Sequence, residues 1–150
     1  MISILENSSR YTSYIFYLLV EKNLFKKEDI KKFMNLEEKY NSCKIIIFEL
    51  TNENLLNART KRYPISAYYR LLLAKLILDI KRIIYLDGDT LVFTDLSKMI
   101  NLDMKNNIIL GFVDDSYKKA RIFGIKTYKY ITSGVLLIDL EKMRKENKSY

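Results

Sequence analysis

Five short apolar runs, set apart by polar and charged segments, constrain the fold of this chain more than any other feature: Tyr14 to Val20, Cys43 to Leu50, Arg82 to Leu86, Ile108 to Val113 and Ser133 to Ile138. They are rich in branched and aromatic residues and too short for independent helices, so they read as buried strands. The intervening chain has a different period. Lys26 to Tyr40 carries Ile30, Phe33, Met34 and Tyr40 close to helical spacing, which predicts a surface helix with one buried stripe. Pro64 opens a second helix that runs to about Ile80, proline being tolerated in a first turn. Between Ala67 and Ile80 only Arg70, Lys75 and Asp79 are strongly polar, so this helix is expected to be buried on most sides. Glu141 to Asn147 closes the pattern as a charged helix. Continuous apolar strands alternating with helices predict an α/β domain with a mainly parallel sheet, in which ligands bind beyond the carboxyl ends of strands.

Composition narrows the class without assigning a function. At 150 residues, 49% hydrophobic and 29% charged, with four Gly and one Pro, the chain fits one globular domain and excludes collagen-like or linker-rich classes. No repeat or Pro/Gly linker marks a boundary within residues 1–150. The lone Cys43 has no internal disulfide partner. The net charge of +8 comes mostly from lysines scattered along the chain. A basic balance favours anionic partners such as nucleic acid. The Lys, Ile, Asn and Tyr excess fits A/T-rich coding, so the charge decides nothing and no nucleic-acid partner is expected. No apolar segment reaches the roughly 20 residues of a membrane helix, and Tyr14 to Val20 lacks the basic flank of a secretory signal. A cytoplasmic protein is expected, with a place at the inner face of the membrane as the alternative.

Asp87-Gly88-Asp89 stands at the end of the third apolar run. Carboxylates at i and i+2 on an extended turn can converge on one hard cation, and the glycine leaves room for a diphosphate. Mg²⁺ and Mn²⁺ both prefer such oxygen ligands. A competing reading is a hairpin, with Ile83 to Leu86 turning at Asp-Gly into Leu91 to Phe93. A third is the Asp-x-Asp of haloacid dehalogenase-like phosphatases. That motif wants Thr two positions after the second Asp, where this chain has Leu91. Chance alone gives about half an Asp-x-Asp in a chain with nine aspartates, so the triplet needs its context.

The context is Ser66-Ala67-Tyr68-Tyr69-Arg70-Leu71, then Arg82-Ile83-Ile84-Tyr85-Leu86-Asp87-Gly88-Asp89-Thr90, Asp95-Leu96-Ser97, and Ile131-Thr132-Ser133-Gly134-Val135-Leu136-Leu137-Ile138-Asp139-Leu140. In order and spacing these blocks resemble glycosyltransferase family 8, and a looser likeness begins at Ser3-Ile4-Leu5-Glu6-Asn7. The resemblance implies a GT-A (Rossmann-like) nucleotide-sugar-binding domain. Its activity would be metal-dependent, retaining transfer of a hexose from a UDP-sugar to a saccharide or glycolipid acceptor, such as a cell-surface glycan or lipopolysaccharide. By the same carry-over, Asp87 and Asp89 hold Mn²⁺ or Mg²⁺ against the donor diphosphate. Arg70 reaches the donor side, or else forms a structural ion pair. Asp114 faces the transferred sugar, or else is a solvated strand end beside Asp115. Gly134 matches the small residue that lets backbone approach the sugar, with Ser133 beside it in the donor site, and a β-bulge is the alternative for Gly134.

Two departures shape what is expected of this chain. Thr132 stands where the family usually has Asn, and no histidine is present to match the family's third metal ligand. The first strand of the domain also looks absent, since residue 1 falls in the helix that follows it. The resemblance therefore implies a partial family 8 domain over residues 1–150, truncated and inactive alone, with a non-catalytic, weakly nucleotide-binding remnant as the alternative. The absent strand would lie between Tyr14–Val20 and Arg82–Leu86, so self-association through unpaired strands is expected.

Overall fold

The computed structural model describes residues 1–51, 65–113 and 131–147. These fall into two compact units, residues 1–73 with 92–95, and residues 74–91 with 96–150.

The first unit is built on a parallel strand pair. After the short helix α1 (Ile2–Glu6), strand β1 (Tyr14–Glu21) leads into helix α2 (Lys27–Lys39), which returns the chain to strand β2 (Cys43–Leu50). Parallel neighbours need a crossover of this kind, and α2 supplies it. The strands pair in register from Tyr14 opposite Cys43 to Glu21 opposite Leu50. Tyr17 and Phe48 stack across the pair, with ring centroids 6.1 Å apart. On α2, Ile30, Phe33 and Leu36 are half-buried while Met34 is exposed, so the inward stripe runs through Leu36 rather than the expected Met34. Phe25 stacks on Phe33 just before the helix, and the Glu37 carboxylate accepts the Ile45 backbone N–H.

The apolar segment after Pro64 differs from the expected long helix. Pro64 itself lies outside the described residues. From Ile65 to Leu72 the backbone is a 3₁₀ helix, and only Leu73–Leu76 (α3) is α-helical. The helix stops short of Ile80 because the Arg144 guanidinium donates to the carbonyls of Ile77 and Ile80, at 2.8 and 3.0 Å. Those captures satisfy carbonyls at the end of the segment without further helical turns. Burial is also one-sided. Tyr69, Leu72, Leu73, Ala74 and Ile77 are buried, whereas Leu71 is 54% exposed and Leu78 is exposed. The Tyr69 hydroxyl lies 3.5 Å from the Leu50 carbonyl, and burial pushes its pKa up, with the Glu21 carboxylate adding to the shift.

The second unit carries strand β3 (Arg82–Leu86), helix α4 (Ser97–Ile100), strands β4 (Ile109–Val113) and β5 (Ile131–Asp139), and helix α5 (Leu140–Asn147). Its sheet has the order β3-β5-β4, and β5 is antiparallel to both neighbours. The mainly parallel sheet expected from the sequence therefore holds only for β1 and β2. The α/β class stands. The central strand is closed off on both faces: Leu136, Leu137, Ile138 and Asp139 are consecutive and all buried. β3 is less deep than its composition suggests, every residue from Arg82 to Leu86 being partly exposed.

Asp139 is the one buried charged residue among those described, at 7% exposure, and its role is structural. Its Oδ1 accepts the Lys142 N–H at 2.9 Å, capping α5 from the residue just before the helix. Its Oδ2 lies 3.9 Å from both Arg82 Nε and Lys142 Nζ. No helix of the described residues is long and apolar enough to cross a membrane.

Candidate metal and nucleotide site

Asp87 follows β3 at its carboxyl end. Its backbone N–H donates to the Gly134 carbonyl of β5 at 2.9 Å, extending the antiparallel ladder one step beyond Leu86. Its own carbonyl accepts the Thr90 N–H at 3.0 Å, closing Asp87-Gly88-Asp89-Thr90 into a hydrogen-bonded turn. The hairpin reading of this turn is excluded, because Leu91 to Phe93 forms no strand and β3 pairs with β5. Val92 is held instead by a side chain of α1 and one of the residue that caps its end. Its N–H donates to Ser3 Oγ at 3.2 Å and its carbonyl accepts Asn7 Nδ2 at 3.1 Å.

Within the turn, Asp87 is half-buried while Gly88 and Asp89 are exposed. Side chains alternate along a strand, so Tyr85 and Asp87 share one face of β3. The Tyr85 hydroxyl donates to Asp87 Oδ1 at 2.8 Å. Gly134 lies beside Asp87 on β5, where an added Cβ would stand 3.0 Å from Asp87 Oδ2. That is the close approach that glycine permits here. Gly88 is different: a Cβ there would meet nothing within 4 Å, and its φ is not left-handed, so its backbone freedom is unused. What Gly88 leaves is open space beside two carboxylates.

These residues fit a hard divalent cation in part. Among the described residues no group of three or more His, Cys, Asp or Glu side chains gathers to hold a metal. The chain offers two carboxylates on an accessible turn, which suits a Mg²⁺ or Mn²⁺ ion that draws its remaining oxygens from phosphates and water.

The other residues singled out in the sequence fall in different places. Ser133 is exposed on β5 beside Gly134. Thr132 Oγ1 lies 3.4 Å from the Gly134 N–H, so this side chain turns to its own strand. Arg70 lies in the 3₁₀ helix of the first unit, where its Nε donates to the Ala67 carbonyl at 2.9 Å. Asp114 and Asp115 lie outside the described residues. Sequence reasoning missed Tyr85. The available signal was its spacing two before Asp87 in a strand, where a phenol reaches the next same-face side chain.

Comparison with known proteins bears on the family and the fold. The profile of "Glycosyl transferase family 8" matches residues 1–149. A Haemophilus influenzae protein named "Putative glycosyltransferase" is 32% identical over 97% of this chain and 44% of its own length. General stress protein A of Bacillus subtilis is 40% identical over 55% of this chain and 30% of its own length. The chain thus spans less than half the length of either relative. Among solved structures, the bifunctional glycosyltransferase WbbM superposes with a TM-score of 0.75 at 18% identity, over 97% of this chain and 29% of its own. The galactosyltransferase LgtC, solved with donor and acceptor sugar analogues, gives 0.66 at 19% identity, over 88% of this chain and 60% of its own. At such identities the structural likeness speaks for fold alone, and the fold is GT-A. With the profile covering nearly every residue, the turn, its strands and their order have one common source: the chain belongs to glycosyltransferase family 8.

Proposed function

We propose that this chain serves metal-dependent transfer of a hexose from a UDP-sugar to a saccharide acceptor, with retention at the anomeric carbon. The observation that carries the reading is the Asp87-Gly88-Asp89 turn, fixed to β5 through Gly134 and open above Gly88, in a chain of family 8. Asp87 and Asp89 are the residues to hold Mn²⁺ or Mg²⁺. When bound, such an ion supplies positive charge against the donor diphosphate as the sugar–phosphate bond breaks. The chain's own part is placement. The turn sets two carboxylates at a strand end, and a Cβ on Gly88 would meet nothing within 4 Å, which is where a diphosphate is proposed to approach. Ser133 and Gly134, on the strand beside Asp87, are proposed to lie against the donor, and Asp114 and Arg70 are proposed to face the sugar and the donor. Support for sugar donors and acceptors comes from LgtC, solved with analogues of both. A cell-surface glycan or lipopolysaccharide is the acceptor class this reading favours.

Titration calorimetry with a panel of UDP-hexoses, with and without Mn²⁺, tests the proposal. The expected result is binding that requires Mn²⁺ and is lost in Asp87→Asn and Asp89→Asn. Metal-independent binding contradicts it. Hydrolysis of p-nitrophenyl phosphate that depends on Asp87 would return the turn to phosphatase chemistry.

A further inference from the structure

The Asp87 carboxylate is hydrogen-bonded on one side and lies on the other in room that a glycine leaves, and no metal-binding pattern includes either residue. On its own strand, Tyr85 donates a hydrogen bond to Oδ1 at 2.8 Å. On the adjacent strand, Gly134 lies so close that a Cβ there would meet Oδ2 at 3.0 Å and Cγ at 3.6 Å. The backbone between them is pinned by the hydrogen bond from the Asp87 N–H to the Gly134 carbonyl, at 2.9 Å. A carboxylate at a strand end can ordinarily sample several χ1 and χ2 settings. Here one oxygen is bonded to a phenol and the other rests over a glycine.

We propose that Tyr85 and Gly134 are positioning residues that hold the Asp87 carboxylate in its cation-binding orientation, Tyr85 as the donor and Gly134 as the space it rests in. The inference depends on the metal reading of Asp87 and deepens it. Tyr85 acts through Asp87 and touches no reacting atom. Its hydroxyl fixes the plane of the carboxylate before any cation arrives, so binding spends less on ordering the ligand. Partners that orient a metal ligand typically change affinity by about 10–100-fold when removed. Tyr85 contributes one hydrogen bond to an already pinned group, so the lower end, about tenfold, is expected. Gly134 works in the opposite sense. A methyl group there displaces Oδ2, and the hydrogen bond to Tyr85 is strained with it.

Mn²⁺ affinity, measured by water-proton paramagnetic relaxation at saturating UDP on the full chain, separates the possibilities. Wild type, Tyr85→Phe, Asp87→Asn and the double variant are compared, with thermal melting of each. Tyr85→Phe is expected to bind Mn²⁺ about tenfold more weakly with an unchanged melting temperature. The same change should add nothing in the Asp87→Asn background, as a double-mutant cycle requires of residues acting as a unit. Should Tyr85→Phe fold poorly, Gly134→Ala makes the same test from the other strand, with weaker Mn²⁺ binding only while Asp87 is present. Wild-type affinity in Tyr85→Phe or in Gly134→Ala, beside weak binding in Asp87→Asn, overturns this inference and leaves the metal reading standing. A Tyr85 effect that persists without Asp87 shows a merely structural role and also overturns it. Wild-type affinity in Asp87→Asn removes the metal reading itself.

Discussion

The two units handle similar apolar sequence in different ways. In the first, β1 and β2 pair only with each other among the described residues, and most of their residues stay half-exposed, with Val20, Ile45 and Leu50 the buried ones. In the second, β5 has a neighbour on each side and buries four consecutive residues, Leu136 to Asp139. What decides burial is position within a sheet, since a central strand is shielded along both edges as well as on both faces. The candidate site profits from this. Asp87 is hydrogen-bonded to Gly134, two residues before the buried run of β5, so the turn is tied to the strand that carries the core of the unit.

The contrast can be broken by core truncation. Leu137 is fully buried at 0% exposure, and Leu137→Ala should cost about 2–5 kcal/mol. Leu18 is half-buried at the middle of β1, so Leu18→Ala should cost roughly half as much. Urea denaturation of both variants gives the comparison, and equal losses would show that β1 is as well covered as β5.

Polar contacts give a smaller effect of the same sense. Arg144→Ala leaves the Ile77 and Ile80 carbonyls without its guanidinium, for a loss of about 1–3 kcal/mol in the same assay. In the first unit, Lys32→Ala removes an exposed ion pair with Asp29 at 3.1 Å and should leave the midpoint unmoved. A large effect of Lys32→Ala would mean that surface charge matters more to α2 than its exposure implies.

The smallest effect is a pH dependence in the first unit. Burial, aided by the Glu21 carboxylate, raises the Tyr69 phenol above its unfolded value of about 10. The folded chain therefore keeps a proton that the unfolded chain releases. The stability this contributes is complete below the unfolded pKa and is lost as pH rises through the folded one. Denaturation midpoints between neutral and strongly alkaline pH should fall less steeply in Tyr69→Phe than in wild type.

Much of this was legible in the sequence, and what escaped it has physical causes. The strand positions followed from apolar runs, and Asp87-Gly88-Asp89 followed from its place after one of them. The direction of strand pairing did not. Leu136-Leu137-Ile138 is apolar on consecutive positions because both faces are covered, and a covered central strand reads alike whether its neighbours are parallel or antiparallel. The early end of α3 was equally hidden, since it depends on Arg144, 67 residues away from Ile77. Tyr85 looked like core because half of its role is apolar, and only the fold aims its hydroxyl at Asp87. Gly134 was marked for approach to a ligand, and the structure adds a neighbour, the Asp87 carboxylate itself.

Asp87 and Asp89 are proposed to form a cation site completed by a nucleotide diphosphate. Paramagnetic relaxation of water protons by Mn²⁺ tests it most directly, in wild type and Asp89→Ala, each with and without UDP. With two protein carboxylates and the rest of the coordination left to phosphate and water, binding should be weak alone and clearly stronger with UDP. That gain should disappear in Asp89→Ala. Equal relaxation in the two proteins, or no response to UDP in wild type, would contradict the account.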